Sequence, residues 1–277
     1  MSADPALPDD ALRISSNVVE GPGEVVVIAL HGEVDLLTAP LVSETVTAAT
    51  ARHPTTLIID LTAVTFLDSS GLSILAQAHT AASAGRQVRV VAPTDGMPYR
   101  AMALTGLDKI LTVFPSRTDA LPSPGSAMPT RNSPAGDPGN EGIPGSAARE
   151  SDASDLYHPA APANPAQLAL LREEITAWAA RAGLHPDRIP GLQLAVYEAM
   201  ANVVVHAYPG QLGTFSLLAR SHDQSLTVTV ADHGRWQPAA RPGLLHGRGL
   251  PLIQTLADHA TIDKGTEGTS VTMTWSR

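Results

Sequence analysis

Apolar residues arrive in two rhythms along this chain. Runs rich in β-branched residues at 24–31, 56–61, 87–91 and 110–114 predict buried strands, and stretches with apolar spacings of three to four at 39–51, 70–84 and 97–105 predict helices between them. This alternation predicts a small α/β layer. After residue 164 the order changes to helix 165–182, helix 189–207, strands 214–220 and 225–231, a loop, helix 247–260, and last strands at 261–263 and 269–275. Helices covering one face of a mixed sheet would leave a recess on the helix side where a ligand can sit.

Between these halves, from Ser116 to about Asn164, Pro, Gly and Ser dominate and large apolar residues are scarce, so the segment lacks the burial needed to offset chain entropy. The expected organisation is a domain over 11–118, a disordered linker over 119–163 and a domain over 164–277. A flexible coil of that length spans about 35–40 Å. That reach lets the domains touch.

Composition narrows the function classes. With 43% apolar and 16% charged residues the 277-residue chain reads as globular, and a net charge of −9 with pI near 5.5 argues against nucleic acid or an anionic membrane as direct partner. There is no cysteine, which removes disulfides and thiolate metal sites. The N-terminal ten residues carry no basic, apolar targeting pattern, and no apolar run approaches the ~20 residues of a spanning helix, so the expected location is the cytoplasm. The ten histidines lack metal-ligand spacing of the His-Glu-x-x-His kind.

Two motif groups carry candidate chemistry. Asp68-Ser69-Ser70-Gly71-Leu72 opens a helix, where Asp and Ser oxygens accept unpaired N–H groups; capping alone accounts for such residues in a generic chain. The same corner would tolerate a phosphoserine, because its negative charge meets the helix dipole, and nearby Glu33, Asp35 and Asp68 would repel an acidic partner. Gly32-Glu33-Val34-Asp35, Asp60-Leu61 and Phe66-Leu67-Asp68-Ser69-Ser70-Gly71-Leu72 together resemble the STAS domain of bacterial anti-sigma-factor antagonists, over about residues 12–120. The resemblance implies that the second serine of the corner, Ser70, is the phosphoacceptor, with Asp35 and Asp68 shaping the contact surface.

In the second half, Glu198, Asn202 and His206 follow at steps of four and form one polar stripe on an apolar helix. Such a stripe often only faces water. An Asn oxygen also suits Mg²⁺, and a Glu one turn earlier suits proton acceptance from a hydroxyl. Asp232 ends a strand beside Gly234, Gly247-Arg248-Gly249 opens a helix with N–H donors and a cationic fork, and Gly268-Thr269 enters the last strand.

Taken in order, these resemble the N box and glycine boxes of GHKL ATPases, and Glu198-Ala-Met-Ala-Asn202 through Tyr208 with His246 through Ile253 resembles the anti-sigma-factor serine kinases. The implied fold is a Bergerat-type α/β sandwich, and the implied cofactors are ATP and Mg²⁺. Glu198 would be general base and Asn202 the metal ligand. Asp232, Gly234 and Thr269 would meet adenine, with Gly268 beside them, and Gly247, Arg248 and Gly249 would lie near the phosphates. Trp236 departs from the pattern, standing where many relatives have a second glycine.

The combination predicts a sigma-factor regulator that works by partner switching, with ATP-dependent serine phosphorylation of a STAS domain, either its own Ser70 or another protein's. Expected partners are STAS antagonists, anti-sigma-factor kinases or a sigma factor, with an intramolecular contact and a homodimer both permitted. The alternative is a non-catalytic ATP-binding module that sequesters an antagonist or sigma factor. A histidine-kinase fragment is disfavoured because no dimerising helix pair with an acceptor His precedes the ATPase half.

Overall fold

The computed structural model describes residues 12–19, 23–82, 86–122, 154–208, 211–235 and 249–277. In the N-terminal half, β1 (Arg13–Val19), β2 (Val25–Val34), β3 (Thr56–Leu67), β4 (Gln87–Val91) and β5 (Thr112–Phe114) lie side by side in chain order. Only β1 runs antiparallel; β2 through β5 are parallel, joined by α1 (Ala39–Ala51), α2 (Ser69–Ala81) and α3 (Met97–Leu104). The helix pair α1 and α2 buries Val42, Val46, Leu72 and Leu75 on the face of the sheet that carries Val26, Ile28, Leu57 and Ile59. The opposite face is a smaller cluster of Val25, Val27, Ile58 and Val91, closed by Ala120 of the short α4 (Arg117–Ala120).

The C-terminal half has a sheet in the order β6-β7-β8-β10-β9, built from β6 (Leu156–Pro162), β7 (Thr214–Ser221), β8 (Ser225–Asp232), β9 (His259–Gly265) and β10 (Gly268–Ser276). All its pairings are antiparallel. Strand β8 alternates strictly, with Leu226, Val228 and Val230 facing α5 (Pro165–Arg181), α6 (Ile189–Asn202) and α7 (Gly249–Leu256). Its other face carries threonines, of which Thr229 hydrogen-bonds Thr272 across to β10 at 3.1 Å. The apolar cores of the two halves form one continuous cluster.

Several boundaries differ from the sequence-based expectation. β1 was not expected; six of its seven side chains are exposed, so it lacks the apolar signature of a buried strand. β6 lies inside the predicted linker, where Pro159 and Pro162 read as linker composition. It is an edge strand with a register shift between His158 and Ala161, a position where proline is tolerated because one row of N–H groups has no ladder partner. α4 likewise crosses the predicted boundary at 118; the rest of the predicted linker, 123–153, falls outside the described residues. β3 continues to Leu67, past the expected end at 61, and β9 starts at His259, inside the helix expected over 247–260. The helix expected over 189–207 is α-helical to Asn202 and then becomes a π-turn, Val203–Ala207.

The C-terminus is pinned by Asp258, whose carboxylate accepts from Arg188 and, at 2.7 Å, from the Ser276 N–H; chiefly the Arg188 bond holds its pKa at about 2, below the ordinary 3.8. An acid with a depressed native pKa stabilises the fold above its unfolded pKa and loses that contribution as pH falls through the native value. Because the side chain is 42% exposed, solvent screening leaves about 1 kcal/mol. Asp258→Asn is expected to lower stability by that amount in urea titrations near neutral pH. The difference from the parent should vanish on acidification between 3.8 and about 2.

Candidate functional site

The two halves meet where β2 and β3 end and α2 begins. Asp68 caps α2, its Oδ1 accepting the Gly71 N–H at 3.0 Å, which fixes Ser69 as the first helical residue. Gly71 leaves room there for the tight packing of this corner, since a Cβ would stand 2.5 Å from Leu67 Cδ1 and 2.8 Å from Val34 Cγ1. From the other half, α6 brings Glu198 to this corner. Ser69 donates twice to it, N–H to Oε1 and Oγ–H to Oε2, each at 2.7 Å.

Ser69, and not the Ser70 singled out from the sequence, is therefore the hydroxyl on Glu198. Successive helical residues point about 100° apart, so only one of the pair can face α6. Ser70 turns toward Asp68 and lowers its proton affinity slightly.

Arg172 of α5 is the second contact, and sequence reasoning missed it. Its side chain is 1% exposed, and it lies over the Phe66 ring at 4.4 Å and the Tyr197 ring at 5.7 Å. Its Nη2 donates to Glu33, and its Nη1 lies 3.9 Å from Asp35 Oδ2. Phe66 and Tyr197 meet edge to face at 5.0 Å, and the Tyr197 hydroxyl accepts the Leu36 N–H at 3.2 Å. The signal lay in the helical period: Arg172 stands four residues after Leu168 and three before Ile175, both fully buried, so it belongs to an apolar stripe.

Carboxylates outnumber cations here. Asp68 is fully buried with Oδ2 lacking a hydrogen-bond partner, and burial first, then the charge of Glu198, raises its pKa well above the ordinary value. Burial also raises Glu198, against the two hydrogen bonds from Ser69 that lower it. Burial and the neighbouring Asp68 and Asp35 push the Tyr197 phenol upward as well. The Asp68 and Glu198 pair thus holds a proton to higher pH than isolated carboxyls do.

One turn beyond Glu198, Asn202 lines a narrow recess with Ala207, Asp232, Leu250, Thr269 and Val271. The residues suit a nucleotide. Asn202 Nδ2 is buried without a partner. A Cβ on Gly249 would come within 2.8 Å of Glu198 Oε2 and 3.3 Å of Asn202 Nδ2, so only glycine leaves this backbone open toward both side chains. Gly268, at φ +136°, rests against Asp232, where a Cβ would stand 1.8 Å from the Asp232 carbonyl oxygen. Asp232 is buried, which raises its pKa, and it accepts the Gly234 N–H at 2.8 Å. Asn202, Asp232 and Thr269 line the recess, Gly249 packs on Glu198 and Asn202, and Gly234 and Gly268 pack on Ala207 and Asp232 behind it, whereas Gly247, Arg248 and Trp236 fall outside the described residues. His206 lies in the π-turn and leaves the four-step stripe of Glu198 and Asn202.

Comparison with known families agrees with this division. The family described as a STAS domain matches residues 17–120, and the family described as a histidine kinase-like ATPase domain matches 161–275. The anti-sigma-F factor antagonist RsfB of Mycobacterium tuberculosis is 41% identical over 98 residues, covering 35% of this chain and 79% of the relative. The chain belongs to both families. Its ATPase domain is similar to the serine-protein kinase RsbW of Listeria innocua, 33% identical over 129 residues, covering 41% of this chain and 82% of that protein. A crystal structure of an anti-sigma factor antagonist from Mycobacterium paratuberculosis aligns at 37% identity and a TM-score of 0.37, covering 42% of this chain and 94% of that one. Among the described residues no helix is long and apolar enough to cross a membrane.

The docked arrangement predicts that Arg172 governs the contact between the STAS and ATPase domains. Removing one partner of a buried ion pair destabilises by about 3–5 kcal/mol. Because the chain has no cysteine, Glu44→Cys and Asp223→Cys, both at exposed positions, accept a dye pair that reports docking by energy transfer. Arg172→Ala is expected to abolish high transfer while each domain keeps its thermal transition; undiminished transfer would refute the assignment.

Proposed function

We propose that this protein is a cytoplasmic partner-switching regulator whose ATPase domain phosphorylates a STAS-domain serine, with Ser69 of the same chain as the resident acceptor. The observation that carries the reading is the 2.7 Å bond from Ser69 Oγ to Glu198 Oε2. Support comes also from the similarity to an anti-sigma-F factor antagonist on one side and to a serine-protein kinase on the other.

Glu198 orients the Ser69 hydroxyl and receives its proton at Oε2, a task for which a raised pKa is an advantage. Asn202 would hold Mg²⁺ by its amide oxygen, Asp232, Gly234 and Thr269 would hold the base, and Gly249, with Gly247 and Arg248, would serve the phosphates. When bound, Mg-ATP supplies the phosphoryl group and the charge neutralisation its transfer needs. A tethered acceptor needs no second-order encounter, and a separate STAS antagonist or a sigma factor would compete for the same Arg172 and Glu198 surface.

A second reading has an observation of its own: both Glu198 oxygens are engaged by Ser69, so the contact also serves as a latch in a module that binds ATP without transferring phosphate. Incubation with Mg-ATP followed by mass spectrometry separates the two. The expected result is phosphate on Ser69, lost in Ser69→Ala, retained in Ser70→Ala and slowed about 100-fold in Glu198→Gln. Nucleotide binding without any phosphoserine selects the latch, and phosphate on Ser70 alone overturns the choice of acceptor.

The pH dependence has a definite sign. A carboxyl whose pKa is raised on docking favours the docked state when protonated, so docking tightens as pH falls through that pKa. Transfer needs ionised Glu198 and should slow over the same interval. Energy transfer and initial phosphorylation rate, followed together from neutral pH downward, are therefore expected to move in opposite directions.

A further inference from the structure

Beyond the residues that line the recess, one side chain braces it from behind. The π-turn Val203–Ala207 prolongs α6 past Asn202 and delivers Tyr208 between two strands. The Tyr208 hydroxyl donates to the Thr214 carbonyl at 2.7 Å, at the start of β7, and accepts the His233 N–H at 3.1 Å, just past the end of β8. Its ring lies where a Cβ on Gly213 would stand, 2.0 Å from Tyr208 Cδ2, so a glycine precedes β7 to make room for it. The preceding residue is engaged as well: the Ala207 carbonyl accepts the Arg235 N–H at 3.1 Å, and a Cβ on Gly234 would meet that carbonyl oxygen at 2.3 Å.

The turn Asp232-His233-Gly234 is thus gripped from one side by Ala207 and Tyr208 and from the other by Gly268, packed on the Asp232 carbonyl. Nothing in that grip faces the recess except Asp232 and Ala207.

We propose that Tyr208 is a positioning residue for nucleobase selection: its hydroxyl fixes the backbone turn that aims Asp232, so the preference for an amino-bearing purine over an oxo-bearing one depends on a group that does not touch the base. The inference rests on the proposed ATP-binding role. It assigns to the π-turn the function of carrying α6 across to the Asp232 corner. An ordinary α-helical continuation would turn Tyr208 about 100° per residue on its own schedule; the wider turn shifts that register.

The test compares ATP with inosine triphosphate, in which an oxygen replaces the 6-amino group, on the full chain. Tyr208→Phe keeps the ring and removes both hydrogen bonds. Its Kd for ATP should rise about five-fold, as expected for loss of a hydrogen bond of ordinary strength, with the Kd for inosine triphosphate nearly unchanged, so that discrimination shrinks. In phosphorylation assays KM for ATP should rise and kcat hold, since Ser69, on α2, and Glu198, on α6, lie away from the Asp232 turn. Gly213→Ala, which displaces the ring, should reduce discrimination further. Unaltered discrimination in Tyr208→Phe, or equal weakening toward both nucleotides together with a lower melting temperature, would overturn the proposal. A parent protein that binds neither nucleotide would instead overturn the reading beneath it.

Discussion

A guanidinium leaves water only where carboxylates and aromatic faces replace its hydration, and Arg172 receives that replacement from the opposite domain. Glu33 supplies the charge-assisted hydrogen bond, Asp35 adds its field, and Phe66 covers the plane, while Tyr197 closes the same cage from the ATPase side. Without the STAS domain, Arg172 would face solvent on an otherwise apolar stripe of α5. This complementarity sets the docking register. Tyr197 and Glu198 are adjacent on α6, so once the Tyr197 hydroxyl meets the Leu36 N–H, the neighbouring carboxylate falls on the first turn of α2.

The same contact is built with an excess of negative charge. Glu33 and Asp35 meet Arg172 while Asp68 and Glu198 lie buried beside the same contact, and burial raises the proton affinity of both Asp68 and Glu198. Under the proposed chemistry, a phosphate on Ser69 would add about two negative charges within hydrogen-bonding distance of Glu198. Repulsion at such range in a low-dielectric pocket exceeds the modest energy of any one contact in the interface, so product formation and undocking are expected to be a single event.

Much of this was legible from residue pattern, and the failures have physical causes. Buried parallel strands such as β3 and β4 announce themselves as continuous apolar runs, whereas β1 and β6 are edge strands whose side chains mostly face water, so periodicity has little to register there. The glycine positions near the recess were legible because close approach constrains them, as at Gly249 and Gly268. The identity of the docked serine was not. Ser69 and Ser70 differ only in azimuth about α2, and which one faces Glu198 follows from the Asp68 cap and the angle of docking, neither of which is written in local sequence. Arg172 was hidden for the opposite reason: a lone arginine reads as solvated until its helical neighbours show that the position is buried.

One element, α6 with its π-turn, connects every part of the site. Glu198 meets the Ser69 hydroxyl, Asn202 follows four residues later, and Ala207 and Tyr208 reach the Asp232 corner. At 1.5 Å per residue, Glu198 and Asn202 are about 6 Å apart along the axis, a separation that a packed helix holds far more rigidly than any loop. Under the proposed function, the relative position of acceptor and nucleotide is therefore a property of one buried helix, and docking only has to bring Ser69 to a fixed point. A long connection between the domains then carries no burden of precision. It keeps the STAS domain within reach, while Arg172 decides the orientation and α6 decides the distance.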